Sequence, residues 1–381
     1  MTISWPITTE TAQLAYDTML GRPVKGVPTK GINPMQHAHI DRIAGVPEGS
    51  YRRDPHRVYT AMLRNAGCCS CDQYIPENPL SMGSQGYESD KARGVTTGAH
   101  TIICDGMEIA SPEDVIAHME RIVFPGLRRT IASFDEEKRV RGIIEKERAV
   151  QEEIGPELLK TGHGFIGFPR LAYHIYGYGA YFMAYALYPE VIEKYFALQA
   201  DLMVLVNRAV ARAYAEGGLP PLHRLDHDMA DSRGTLVRIE SLDRLWFPHF
   251  ARSLEPLRKS GIRLVWHCDG NLMEMVPRLI DCGVSGFQGF QYEAGMDYEK
   301  ICRMRAADGR ELLIMAGVSV TTTLPHGTPQ DVRKEMDWLV QCGPKRGLFL
   351  GCSSSITPGV PWENMQALLD GFHHYRTHGR D

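Results

Sequence analysis

The chain has 381 residues, 43% hydrophobic and 23% charged, with a formal net charge of −4. This composition excludes a disordered polyelectrolyte and the basic footprint of a nucleic-acid binder. No apolar run approaches the roughly 18 residues of a membrane span, the N-terminal MTISWPITTETAQ lacks a basic start followed by an apolar core, and nine scattered cysteines make no disulfide framework in a chain of this size, so a cytoplasmic protein is expected, with small molecules or another protein as partners.

In chain order, the N-terminal third is broken by Pro23, Pro28, Pro34, Pro47, Pro76 and Pro79 and reads as an irregular cap. Residues 1–100 are expected to hold that cap and the first strands, and 101–381 the remainder of one domain. Cys68, Cys69 and Cys71 lack a matching second pair for a metal, and the glycine-rich stretch Gly83 to Gly98 has the makings of a lid. The middle is helical: Ser111 to Ile122, then Asp135 to Ile154 with a solvated charged face, then Ala180 to Ala215 with an interruption near Pro189. Between them GHGFIGFPRLAYHIYGYG (162–179) reads either as aromatic core between helices or as a loop lining an apolar pocket.

The C-terminal half alternates apolar runs with amphipathic segments, the pattern of a parallel sheet. Strands are expected at Leu222 to Leu225, Arg263 to His267, Ser285 to Phe290, Leu312 to Gly317 and Gly347 to Gly351. Helices are expected from near Ser241, Leu272, Met296, Thr328 and Pro361, where capping hydroxyls, early prolines and early carboxylates cluster. A chain of this length accommodates an α/β barrel as one unit.

The stretch LVWHCDGNLMEMVPRLIDCGVSGFQ (264–288) is the most telling, because its buried strand stops at His267, Cys268 and Asp269 and restarts as a helix. Ligands bind at the carboxyl ends of parallel strands, so these side chains are placed for chemistry. Strand alternation puts His267 and Asp269 on one face and Cys268 on the other. In LHRLDHDMADSRG, a carboxylate among Asp226, Asp228 and Asp231 suits a metal ligand or proton relay, or a hydrogen-bonded loop. In FQGFQYEAGMD, Gln291 and Glu293 suit binding a substrate oxygen or orienting His267, whereas Asp297 suits a helix cap.

The segments 261–291 and 317–370, with the helix-rich middle, resemble the uroporphyrinogen decarboxylase superfamily, a resemblance that covers most of the chain. It implies an α/β fold: a single (β/α)8 TIM barrel with an irregular N-terminal cap and helical insertions. The superfamily holds decarboxylases and zinc- and corrinoid-dependent methyltransferases. The decarboxylases use cationic groups around their carboxylates. Here DRIAGVPEGSY keeps Arg42 and Ala44-Gly45 of their arginine motif but has Val46 at the second arginine; Asp72 in CCSCDQYIP stands at their aspartate, and Cys352 in LGCSSSI replaces their histidine.

The methyltransferases place a cysteine where Cys352 stands and a His-x-Cys at an earlier strand end, which His267 begins. Asp269 occupies the second thiolate position, with Cys268 one residue early. The resemblance therefore implies zinc on His267, Asp269 and Cys352, with Cys268 as the substitute and one position open. Fewer thiolates make zinc the stronger Lewis acid, which tilts the expectation toward activating an oxygen leaving group. The expected function is transfer of a methyl group between a small donor, such as a methoxylated aromatic, and a cobalamin-type corrinoid carried by a partner protein. Glu293, Asp228 and Asp72 are the expected catalytic groups, and Gln291, Phe165, Phe168, Tyr173 and Arg42 the expected substrate contacts. The alternatives are a decarboxylase of a carboxylated aromatic or tetrapyrrole, and a noncatalytic binder of a corrinoid or tetrapyrrole.

Overall fold

Apolar runs in the C-terminal half become parallel strands with near-continuous burial, as expected of strands covered on both faces. The computed structural model describes residues 5, 7–81 and 101–380; the expected lid at Gly83 to Gly98 lies outside them. Its strands are β1 (residues 29–30), β2 (Ser70–Cys71), β3 (Leu159–Lys160 continued by Gly162–His163), β4 (Leu222–Asp226), β5 (Arg263–His267), β6 (Gly286–Gln288), β7 (Leu313–Val318) and β8 (Leu348–Cys352). Each of β2 to β8 pairs in parallel with the next. Single parallel bridges from Thr29 to Leu350 and from Lys30 to Ser70 close the ring. The result is an eight-stranded α/β barrel whose carboxyl ends all open at one mouth.

The expected helices form close to their predicted places. The middle gives Pro112–His118, Glu136–Ile154, Tyr178–Leu187 and Pro189–Gly217. Pro189 begins its helix rather than breaking one, because a first-turn proline sacrifices no intrahelical bond. Thr328 and Asp331 form a capping box ahead of Pro329–Cys342, and Ser111 and Asp114 do the same ahead of Pro112–His118. The helix expected from Leu272 starts at Val276, after a turn.

The N-terminal third is more regular than its prolines suggest. It folds into helices Glu10–Met19, His37–Ala44 and Pro55–Asn65 besides β1 and β2, with most of the prolines lying between elements, Pro55 at a first turn and Pro79 in the 3-10 helix Asn78–Ser81. Behind β5, Trp266 packs on Phe168 and Phe250 with ring centroids 5.4 and 5.5 Å apart, and Trp246 stacks on Phe250 at 4.5 Å. Truncating so buried a tryptophan would cost roughly 3–5 kcal/mol. This aromatic wedge fixes the outer face of β5 and so aims its alternate residue, His267, inward.

Candidate metal centre at the barrel mouth

Strand register assembles the site. Asp226, His267 and Gln288 are mutual register partners at the ends of β4, β5 and β6, so three polar side chains share one level of the barrel. They line a cavity of about 180 Å³ with Lys30, Asp72, Arg224 and Cys352. Asp226, Asp228 and His267 each offer a donor atom within 4.8 Å of the others, the one such cluster of metal-ligating side chains among the described residues. The Asp269 carboxylate stands 4.0 Å from His267 Nε2, and its Oδ1 is buried without a hydrogen-bond partner.

Burial, and then the neighbouring Arg224, lower the His267 pKa to about 4, so the imidazole is neutral at pH 7 with a lone pair to give. The Gln288 amide lies against it: with its nitrogen turned to the ring it donates to His267 Nδ1 at 2.6 Å, while its oxygen accepts from Lys30 Nζ at 2.8 Å and from the Gly289 amide. An amide can present either end to the ring, so Gln288 suits either tautomer. Burial and then Asp228 push the Asp269 carboxyl up to about 6, and burial raises Asp228 as well. Crowded carboxylates, an orphaned carboxylate oxygen and a neutral imidazole fit a divalent cation, which would relieve the repulsion among the acids.

Beneath this cluster runs an ion-pair network. Arg224 contacts Asp72 at 2.6 Å and Asp226 at 3.0 Å, and donates to the Gln73 side chain at 2.9 Å. Burial would raise Asp72, but Arg224 and Lys30 hold its carboxyl well below the usual range, so it stays a carboxylate. Asp226 is likewise held low, by His163, His267 and Arg224 against its own burial.

The other expected site residues divide by where their strands and loops point. Cys352 is buried at the edge of the cavity, outside the Asp226–Asp228–His267 cluster, with its thiol pushed up to about 12 by burial. Cys268 faces away: its sulfur accepts from the Met229 amide and donates to the Asp269 carbonyl. Gln291 accepts from the Gly270 amide at 2.6 Å and braces the turn after His267, and Glu293 pairs with Thr321 and Ser319 at the rim. Asp297 caps its helix.

The aromatic residues lie outside the cavity. Phe165 packs edge-on against His223, Phe168 belongs to the wedge behind β5, and Tyr173 stacks on Tyr178 and donates to the Asp228 carbonyl. Phe168 thus packs as core, whereas Phe165 also borders a separate cavity of about 830 Å³. Arg42 is exposed and sits 4.0 Å over the Trp362 ring, away from the cavity. Sequence reasoning passed over Lys30, Arg224 and Gln288. Their signal was a charged or amide residue inside an otherwise apolar run, in VPTKGI, LHRLD and SGFQG.

The family model described as "Uroporphyrinogen decarboxylase (URO-D)" matches residues 105–375. Among solved structures, a "methyltransferase from Methanosarcina mazei" aligns over 97% of this chain and 99% of its own, with a TM-score of 0.53 and 18% sequence identity. That likeness is one of fold. No curated protein matches the chain. Among the described residues no helix is long and apolar enough to cross a membrane.

Proposed function

The chain belongs to the uroporphyrinogen decarboxylase (URO-D) family, and within it we propose a zinc-dependent methyltransferase that moves a methyl group between a small donor and a corrinoid carried by a partner protein. The observation that carries the reading is the convergence of Asp226, Asp228 and His267 on one point at the barrel mouth. His267 and the two carboxylates would hold the ion, with Asp269 beside them and Cys352 at the edge of the same cavity. When bound, zinc supplies Lewis acidity that stabilises negative charge on a leaving oxygen.

The chain's own groups do the rest. Gln288 orients the His267 ring, and the Arg224–Asp72–Asp226 network fixes the carboxylate nearest β5. In such a reaction the methyl–oxygen bond would break with its electron pair left on oxygen, the methyl going to the partner's corrinoid as co-substrate, and the oxygen would take a proton at the mouth, where half-exposed Asp269 stands. The polar lining favours a small polar donor over the expected methoxylated aromatic.

Buried Lys30 and Arg224 are the feature that favours decarboxylation as a second reading. Size argues against it for a tetrapyrrole, because about 180 Å³ falls below the ≈ 300–1,000 Å³ of ordinary ligand pockets. The test is metal analysis together with spectroscopy. Stoichiometric zinc that is lost in His267→Ala, and conversion of a cobalt(I) corrinoid protein to its methylcobalt(III) spectrum with a polar methyl donor, are expected. Carbon dioxide release by zinc-free protein, without corrinoid methylation, would move the assignment to the decarboxylases.

A further inference from the structure

We propose that the floor of the barrel, at the end opposite the metal centre, holds a second ligand site, where Arg263 and the basic side chains around it bind a phosphate-class anion. The proposal stands apart from the methyltransferase reading and uses none of its residues.

Arg263 is the first residue of β5. Strand alternation gives it the same face as Val265 and His267, so it stands at the amino end of the strand whose carboxyl end carries the imidazole. It is only 2% exposed. A guanidinium carries five N–H donors, and here Nη2 spends its two on the Glu311 carbonyl at 2.8 Å and the Ser285 carbonyl at 3.2 Å. Nε is buried without a partner, and Nη1 makes no hydrogen bond among the described residues. The remaining donors of a permanently charged group are therefore unspent. Asp308, whose charge favours the cation, is itself bonded to Arg310 at 2.7 Å.

The space beside this guanidinium is a cavity of about 400 Å³ at the amino ends of β5, β7 and β8. That volume lies within the ≈ 300–1,000 Å³ of ordinary ligand pockets. Arg263, Arg305, Arg310, Lys345 and Arg346 line it, with Glu311 as the one acid among the described lining residues. Glu311 already accepts from the Arg346 amide at 2.8 Å. Of the basic side chains Arg310 has its ion pair with Asp308, whereas Arg305, Lys345 and Arg346 make none among the described residues. Gathered cations around a desolvated, underbonded arginine repel one another, and a buried charge left without a counter-charge is costly. An oxyanion in the gap turns that repulsion into attraction and takes up the unspent N–H groups. Phosphate suits it best, because its several charged oxygens match a set of guanidinium forks.

Titration calorimetry on the full chain at constant ionic strength, with inorganic phosphate and glycerol 3-phosphate against glycerol as the neutral control, tests the proposal. We expect saturable binding of at least one phosphate and none of glycerol; the tighter of the two phosphates tells whether the free ion or a phosphate monoester is the ligand. Arg263→Met should weaken binding about tenfold or more, the loss expected for removing charge-assisted hydrogen bonds. An Arg305→Ala, Arg346→Ala double variant, altered only at exposed side chains of the same cavity, should weaken it comparably, and it decides the matter if Arg263→Met does not fold. His267→Ala should leave the affinity unchanged, because the imidazole lies at the other end of the strand. No saturable binding of either phosphate at millimolar concentration, equal binding of glycerol, unchanged affinity in a folded Arg263→Met protein or in the double variant, or loss of binding in His267→Ala would each overturn it.

Discussion

Asp72, at the end of β2, and Arg224, on β4, meet at 2.6 Å across the intervening β3, as an ion pair rather than an aligned hydrogen bond. Asp72 is therefore a fixed anion rather than a group that exchanges protons. Removing one member of a buried pair leaves an uncompensated charge, which costs 3–5 kcal/mol. Arg224 keeps Asp226, so we expect Asp72→Asn to lose roughly 3 kcal/mol, at the low end of that range. Because the folded pKa of Asp72 is depressed, its contribution is present above the ordinary carboxylate range and is lost only as the pH falls through its low folded value. Urea denaturation at pH 7 and pH 4 checks this; equal stability of variant and wild type at pH 7 would refute the pair's importance.

Cys268 gives the second prediction. It is fully buried on the outer side of the strand end, with both its hydrogen bonds made to backbone. Cys268→Ser should keep zinc at the wild-type stoichiometry and lose about 1 kcal/mol of stability, a typical value for perturbing one buried hydrogen bond. Zinc loss equal to that of His267→Ala would mean that the ion sits on the other side of β5.

Much of this architecture was legible because parallel strands covered on both faces announce themselves as apolar runs. The strands ending at His267 and just before Asp226 follow from the apolar runs ahead of CDGN and DHDM. What was hidden is short or depends on partners. The first strand is only a pair of bridges at Thr29 and Lys30, and the second only Ser70 and Cys71, too few residues for any period to show. The aromatic loop misled for a different reason: Phe168 and Tyr173 have the composition of a ligand pocket, but Phe168 is taken up by Trp266 and Phe250 and Tyr173 by Tyr178 and His227. Single-sequence patterning cannot say which apolar surface an aromatic ring will meet.

His227 carries a pH dependence. Its Nε2 accepts from the Leu171 amide at 3.0 Å, and burial, then Arg170, lower its pKa from 6.5 to about 3. Below pH 6.5 the unfolded chain takes up a proton that the folded chain refuses, so this group removes about 1.4 kcal/mol of stability per pH unit as the pH falls toward 3. His267 adds to the loss down to about pH 4. Asp269, raised to about 6, opposes it, though weakly because its side chain is 38% exposed. His227→Gln, whose amide oxygen can replace the ring nitrogen as acceptor, should flatten the fall in stability between pH 6.5 and pH 4 while changing it little at pH 7. An unaltered slope in urea titrations would assign the acid sensitivity elsewhere.

Gly289 supplies the sharpest test of the imidazole's placement. It follows Gln288 with φ of +81°, and a Cβ at this position would overlap the His267 ring at Nδ1 and Cε1. Gly289→Ala therefore combines left-handed backbone strain, roughly 1–2 kcal/mol, with a direct push on the ring that would hold the ion. It also displaces the Gln288 amide from Nδ1. Disturbing the partners that orient a metal-bound histidine lowers affinity about 10–100-fold, so we expect zinc affinity to fall in that range. A loss of stability alone would be distinguished by Gly283→Ala, at φ of +105° with no neighbour in reach, which should cost stability without zinc. Competition titrations with a chromogenic chelator read both variants, and equal zinc affinity in the two would show that His267 Nδ1 and its supporting amide do not govern the metal.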